Sequence, residues 1–162
     1  MREAQRGSGA ALAELYSAHW RRAHRAAFLI VHDAAAAEDV AQDAFLAAVD
    51  ALDRFDRRRP FAPWLHRIVA NRAIDWARRE ALRRRVDGAA EEPARAPEGL
   101  GEDVIAALAE LPAEQRAAVV LRHLLEYTPG EIATMLELPR GTVNSRLRRA
   151  LDSLGARLEE GR

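Results

Sequence analysis

Apolar residues return at three- and four-residue intervals along most of this chain, which predicts helices. Ser8 can cap a long one whose inward stripe is Leu12, Leu15, Tyr16, His19, Ala23, Ala27 and Ile30, with residues 1–7 a loose tail before it. Asp33 can cap the next, from Ala34 to about Leu52, with Val40, Ala41, Ala44, Phe45, Ala48 and Leu52 inward. The prolines and charge of Arg54 to Pro63 predict a loop. A helix from Trp64 to about Arg85 then turns Leu65, Ile68, Val69, Ala73, Trp76 and Ala77 to the core. Residues 86–101, VDGAAEEPARAPEGLG, read as a flexible acidic linker. Beyond it, Val104, Ile105, Leu108 and Leu111 mark one helix. Pro112 opens another, with Ala117, Val119, Val120, Leu121 and Leu124 as core.

The end of the chain carries the sharpest pattern. Ile132, Ala133 and Leu136 form the stripe of a short helix that Thr128 can cap and Pro129 can start. Glu137-Leu138-Pro139 breaks it, placing Glu137 at a left-handed turn position where glycine is the usual residue. A second helix puts Val143, Leu147, Ala150 and Leu154 inward and leaves Arg140, Gly141, Asn144, Ser145, Arg148 and Arg149 outside, with Arg146 on the flank. Between Pro139 and Leu151 there are four arginines and no acid. Two helices, a tight break and a cationic, amide-bearing outer face predict a helix-turn-helix. Arg can fork onto guanine, Asn onto adenine, and flanking arginines onto phosphate.

Charge sharpens this division. The 25 basic residues, all arginine, balance 25 acids. Yet residues 51–90 hold 11 arginines against 5 acids, and residues 91–114 hold 1 against 7. Two basic regions are thus separated by an acidic stretch. On the helix after Trp64 the polar edge carries Arg67, Asn71, Asp75, Arg78 and Arg79, followed by Arg83, Arg84 and Arg85. With Phe55, Phe61 and Trp64 nearby, this is a composition suited to single-stranded nucleic acid, although the aromatics could equally be core. Asp39, Gln42, Asp43, Leu46 and Asp50 form a separate stripe on the preceding helix, which is either a solvated face or a docking strip.

Other chemistry is not expected. Without cysteine there are no disulfides, zinc fingers or thiol catalysis, which fits a reducing compartment. The five histidines lack metal-ligand spacing, and no phosphate loop or nucleophile elbow occurs, so neither enzyme activity, metal nor cofactor is expected. No apolar run is longer than the six residues of Ala26 to Val31, too short to insert in a membrane, and no signal peptide is visible; a cytoplasmic location is expected.

Four motifs in order carry a resemblance: AEDVAQDAFLAA (37–48), PFAPWLHRIVANRAIDWARR (60–79), LPAEQRAAVVLRH (111–123) and EIATMLELPRGTVNSRLRRAL (131–151). The chain resembles bacterial sigma factors of the sigma-70 family, in the extracytoplasmic-function branch, over about residues 11–158. The resemblance implies an all-α fold of two small helical domains, a region 2-like bundle (8–85) and a region 4-like helix-turn-helix domain (102–158), joined by the linker. It implies docking of Asp39, Gln42, Asp43 and Leu46 on the β′ clamp helices of core RNA polymerase, with the β flap a further contact. Phe55, Arg57, Arg58, Arg59, Arg67, Asn71, Asp75, Arg78 and Arg79 would melt and read the downstream, minus-ten promoter element. Arg140, Thr142, Asn144, Ser145, Arg146, Arg148 and Arg149 would read the upstream, minus-thirty-five element. An anti-sigma factor is implied as a further partner.

Three positions depart from the family pattern: Val49 where an aromatic is usual, Asn144 where Lys is usual, and Glu137 for the turn glycine. Two other readings stay open from residues alone. One is a stand-alone helix-turn-helix regulator dimerising through residues 8–85, and the other is a regulatory protein that only sequesters a partner.

Overall fold

The computed structural model describes residues 1–88 and 99–160, except the side chain of Glu160; the middle of the expected linker lies outside them. The described residues form helices α1 (Arg2–Gln5), α2 (Gly9–Val31), α3 (Ala34–Asp50), α4 (Phe61–Asp87), α5 (Glu102–Ala109), α6 (Ala113–Val119), α7 (Pro129–Leu136) and α8 (Arg140–Glu160). A 3-10 turn follows α3 at Leu52–Arg54, and a π turn, Val120–Leu124, extends α6. No strand occurs among the described residues.

Local chemistry sets the boundaries. Ser8 and Asp33 cap α2 and α3 with side-chain oxygens that accept the amides of Ala11 and Ala36, satisfying donors that a helix start leaves orphaned. Helices α2, α3 and α4 pack on one another around Ala23, Ala27, Ile30, Val40, Ala44, Leu65, Val69 and Ala73. Helix α8 packs on α5, α6 and α7 through Val143, Leu147 and Ala150.

Three boundaries differ from expectation. Residues 1–7 are not a loose tail: Ala4 is buried, and Gln5 Nε2 donates to the carbonyls of Leu52 and Phe55 at 2.9 and 3.0 Å. Helix α4 starts at Phe61, so Pro63 lies in its first turn, where a missing N–H costs no intrahelical bond. Helix α3 stops at Asp50, and Leu52 reaches the core from the 3-10 turn instead.

The two halves are continuous. Helix α2 packs against α5, α6 and the π turn, and α4 against α6 and α7. Along α4 a second buried line, His66, Ala70 and Ile74, runs beside the expected stripe. Arg116 of α6 is buried and spans the junction. Its Nη1 donates to Ile30 O of α2 and its Nη2 to Leu111 O, both at 2.9 Å.

Candidate nucleic-acid interface

The helix-turn-helix is built from its caps outward. Thr128 Oγ1 accepts the Glu131 amide at 3.3 Å, while the Glu131 carboxylate accepts the Thr128 amide at 2.7 Å and its hydroxyl at 2.8 Å. This reciprocal box fixes the start of α7 and, through the Thr128 backbone and then side chain, holds the Glu131 carboxyl below its ordinary range. Glu137 ends α7 in the left-handed conformation, φ 54°, as its place in the turn predicts. Pro139 immediately precedes α8, its carbonyl accepting the amides of Thr142 and Val143.

On α8 the buried line of Val143, Leu147 and Ala150 turns Arg140, Asn144, Arg148 and Arg149 outward, all exposed. Thr142, Ser145 and Arg146 are half-buried on the flanks. Seven residues expected to read the upstream element therefore sit on one helix, with the guanidinium and amide donors on its open side.

The downstream group is divided. Arg67, Asn71, Asp75, Arg78 and Arg79 are exposed along one edge of α4. Phe55 is instead buried, 4.8 Å from the Trp64 ring and edge-on to Phe61 at 5.9 Å. It supports the loop from inside and offers no wall to a base. Arg57, Arg58 and Arg59 are exposed in that loop. Arg58 forks onto Asp56 with two 3.0 Å bonds, and this pairing, side chain first and then backbone, holds the Asp56 carboxyl down. At the far end of α4, Arg83 and then Arg84 bond Glu80 and draw its carboxyl to about 2. That part of the arginine run thus serves intrahelical pairs.

Helix α3 presents Asp39, Gln42, Asp43 and Leu46 to solvent, Leu46 at 63% exposure. Two concavities flank it. A cleft of about 630 Å³ brings Asp39 and Asp43 together with Arg67, Asn71, Asp75 and Arg79 of α4, with Ile68 and Trp76 also lining it. A groove of about 390 Å³ is lined by Leu12, Tyr16, Gln42, Phe45, Leu46 and Val49. Val49 thus belongs to a surface groove, 40% exposed, and does not pack in the core.

Sequence reasoning passed over the junction residues. His66 Nδ1 lies 2.7 Å from Tyr127 Oη, linking α4 to the segment before α7. Burial lowers the His66 imidazole to about 4, and the charges of Arg22 and His19 push the same way. Burial raises the Tyr127 phenol to about 12, so it stays a donor. His32, which ends α2 in the left-handed conformation, is likewise lowered to about 4 by burial and by Arg116. A buried arginine and two buried histidines facing another element are the signal of an interface. Nothing in a linear pattern says which element that is.

Among the described residues no group of side chains could hold a metal ion, and no helix is long and apolar enough to cross a membrane.

Known proteins share this architecture. Residues 15–83 match the family described as Sigma-70 region 2, and residues 101–154 match Sigma-70, region 4. The ECF RNA polymerase sigma factor SigM of Mycobacterium tuberculosis is 36% identical, over 89% of this chain and 75% of that protein. SigL of the same species is 35% identical over 96% of both. Among solved structures, the sigma factor RpoE of Bartonella quintana, in complex with the anti-sigma factor NepR, superposes with a TM-score of 0.77 at 25% identity. It covers 93% of this chain and 98% of its own. CnrH, solved in complex with the cytosolic domain of CnrY, gives a TM-score of 0.73 at 31% identity and covers 98% and 94%. With both regions present in order and relatives this similar along nearly their whole length, the chain belongs to the extracytoplasmic-function branch of the sigma-70 family.

Proposed function

We infer that this chain is a promoter-specificity subunit: it joins core RNA polymerase, recognises promoter DNA and takes part in opening the duplex. The observation that carries this reading is the pairing, in one chain of this family, of a helix-turn-helix whose second helix carries four arginines and no acid from Arg140 to Leu151 with another arginine-bearing helix. The first suits duplex recognition through the major groove. The second suits the backbone of a separated strand. The chemistry is binding, and catalysis of nucleotide transfer stays with the polymerase.

In detail, α8 reads the upstream element through Arg140, Thr142, Asn144, Ser145, Arg146, Arg148 and Arg149. Arg57, Arg58, Arg59, Arg67, Asn71, Asp75, Arg78 and Arg79 engage the downstream element; Phe55 shapes their loop from the core. Asp39, Gln42, Asp43 and Leu46 dock on the β′ clamp helices, and the C-terminal half meets the β flap. The domain limits are 8–85 and 102–158. The site of action is the cytoplasm, where the polymerase is. An anti-sigma factor is a further partner, in keeping with the complexes in which RpoE and CnrH were solved. A stand-alone dimeric regulator is disfavoured, because residues 15–83 match region 2 of a sigma factor.

Run-off transcription with purified core polymerase on fragmented genomic DNA of the source organism tests the reading. Discrete transcripts that depend on adding this chain are expected. Their absence, with polymerase shown active on a control sigma factor, overturns it.

A further inference from the structure

Helix α1 lies at the stem of the loop that carries Arg57, Arg58 and Arg59. Its Ala4 is buried and Met1 packs half-buried against the core, which seats the helix on α2 and on the 3-10 turn Leu52–Arg54. Gly7, at φ 83°, turns the chain back at once. The Ser8 amide then donates to Glu3 O at 3.0 Å, and the Ser8 hydroxyl caps α2. The end of α1 and the start of α2 are thus one bonded corner.

From that corner the half-buried Gln5 side chain reaches across to the turn. Its Nε2 donates to Leu52 O at 2.9 Å and to Phe55 O at 3.0 Å. Leu52 O also accepts the Phe55 amide at 3.2 Å, the bond that closes the turn. One amide group therefore bridges residues i and i+3 of that ring. Glutamine has the two donors this needs on a single nitrogen, whereas a glutamate of the same shape has none and would set a carboxylate against two carbonyls.

The bridged turn is where the arginine loop springs from. Leu52 and Phe55 are buried, and Phe55 is held against Phe61 and Trp64. Beyond Phe55 the loop bonds to itself: the Asp56 carboxylate accepts the Arg58 amide and guanidinium, and Asp56 O accepts the Arg59 amide. The arginines accordingly follow wherever the backbone at Phe55 and Asp56 is placed, and Gln5 bonds that backbone directly.

We propose that α1 is a positioning element for the downstream-reading loop, with Gln5 clamping both ends of the turn at its base so that Arg57, Arg58 and Arg59 meet the separated strand from a fixed support. This rests on the function proposed above for the loop. Gln5 touches no DNA itself; it removes the loop's freedom to swing, so that less order has to be imposed when the strand binds.

Two measurements on the full-length chain test this, with Gln5→Ala, Gln5→Glu and a control, Ser8→Ala. The control removes the α2 cap beside Gln5, which destabilises the same corner, and leaves the bonds to Leu52 and Phe55 in place. Residue-resolved hydrogen exchange on the free chain should show the Phe55 and Arg59 amides exchanging at least about fivefold faster in Gln5→Ala than in wild type, with the middle of α3 and α4 unchanged. In Ser8→Ala the loop amides should stay within about twofold of wild type. Run-off transcription by holoenzyme, assembled with core polymerase in excess on a fragment that the wild type transcribes, should fall about fivefold in Gln5→Ala and further in Gln5→Glu, while Ser8→Ala stays within about twofold. Permanganate reactivity of unpaired thymines should fall in the same order, since the loss lies in holding the opened strand.

Unchanged loop exchange in Gln5→Ala overturns the clamp. Faster loop exchange with undiminished transcription overturns the positioning role, and so does an equal loss in Ser8→Ala, which would make the corner merely structural. If the wild type itself gives no transcript while a control sigma factor does, the promoter-specificity reading falls and the positioning role with it, and the exchange rates still decide whether Gln5 holds the turn.

Discussion

On α8, Arg140, Asn144, Arg148 and Arg149 face away from the buried line that the helix packs with, whereas on α4 Arg67, Asn71 and Arg78 stand against acceptors of α6, α7 and the turn after α7. Both helices bury apolar residues and carry their charge on what is left. The difference lies in what the buried faces are for. Helix α8 has a single buried line, Val143, Leu147 and Ala150, which seats it on its own half. Helix α4 has two: Leu65, Val69 and Ala73 toward α2 and α3, and His66, Ala70 and Ile74 beside them. A helix that buries two sides has less outer surface left, and its polar edge falls in the angle between its neighbours. Recognition chemistry on α8 is therefore open by construction, while on α4 it depends on where the other half sits.

The strongest way to break this contrast is to dissolve the platform under α8. Ile132 is fully buried in α7, and Ile132→Ala should cost about 2–5 kcal/mol. Urea unfolding should then show the C-terminal half melting ahead of α2–α4, with the α4 edge released as it goes; a single transition shifted as one would mean that the halves fold as a unit. A smaller effect sharpens the contrast. Arg148→Ala should weaken binding to an upstream-element duplex by about 1–3 kcal/mol if it contacts a base, and leave thermal stability unchanged. Arg67→Ala should differ in kind, losing a DNA contact and its ion pair with Glu137 together, so that the free chain's net change in affinity is smaller. Titration of both variants against the duplex and against single strands separates the two behaviours.

What the sequence disclosed follows the same line. The caps at Ser8, Asp33 and Thr128, the left-handed Glu137 and the outward face of α8 are local, set by residues three or four apart, and each is where the pattern puts it; the core stripes hold too, except that Tyr16, expected inward, is 41% exposed and lines the groove beside α3. The misreadings are non-local. Residues 1–7 have tail-like composition, yet α1 is held by Gln5 bonding to carbonyls 47 and 50 positions away. Phe55 looks like part of a nucleic-acid wall among arginines, but Phe61 and Trp64 enclose it. Arg116 looks like one more solvated cation in a helix, and its partner Ile30 O lies 86 residues back. His66, Ala70 and Ile74 are spaced four apart, so a second buried face on α4 was visible in principle. Which element would cover it was not.

The buried histidines let the junction be probed by pH. His66, faced by Arg22 and His19 of α2 and by Tyr127, and His32, faced by Arg116 of α6, are both lowered from 6.5 to about 4. Between those values the unfolded chain takes up the proton and the folded one does not. Stability is therefore full above about pH 6.5 and declines as pH falls toward 4. Thermal melts at pH 7.5 and 5.0 should differ by about 1–2 kcal/mol for each histidine. The carboxylates held down by ion pairs, Glu80, Asp56 and Glu114, lose their contributions lower, below about 4.5, so the two windows are separable. His66→Gln should flatten its share of the decline, and an unchanged profile in that variant would show that the junction does not depend on a neutral imidazole there.

The smallest expected effect is the one that separates local strain from contact between the halves. Glycine is the residue that the turn after α7 favours at position 137, where φ is 54°. Glu137→Gly should relieve the left-handed conformation and stabilise the helix-turn-helix by about 0.5–1 kcal/mol. The same change removes the carboxylate that meets Arg67, an exposed pair contributing at most about 1 kcal/mol. Global stability should thus rise slightly or stay level, while the separation of the halves becomes more variable and binding of single strands improves. If the variant is more stable and the separation of the halves is unchanged, Glu137 serves only the turn. If it is less stable than wild type, the contact with Arg67 outweighs the strain, and the charge on α4 is held more tightly than an exposed ion pair allows.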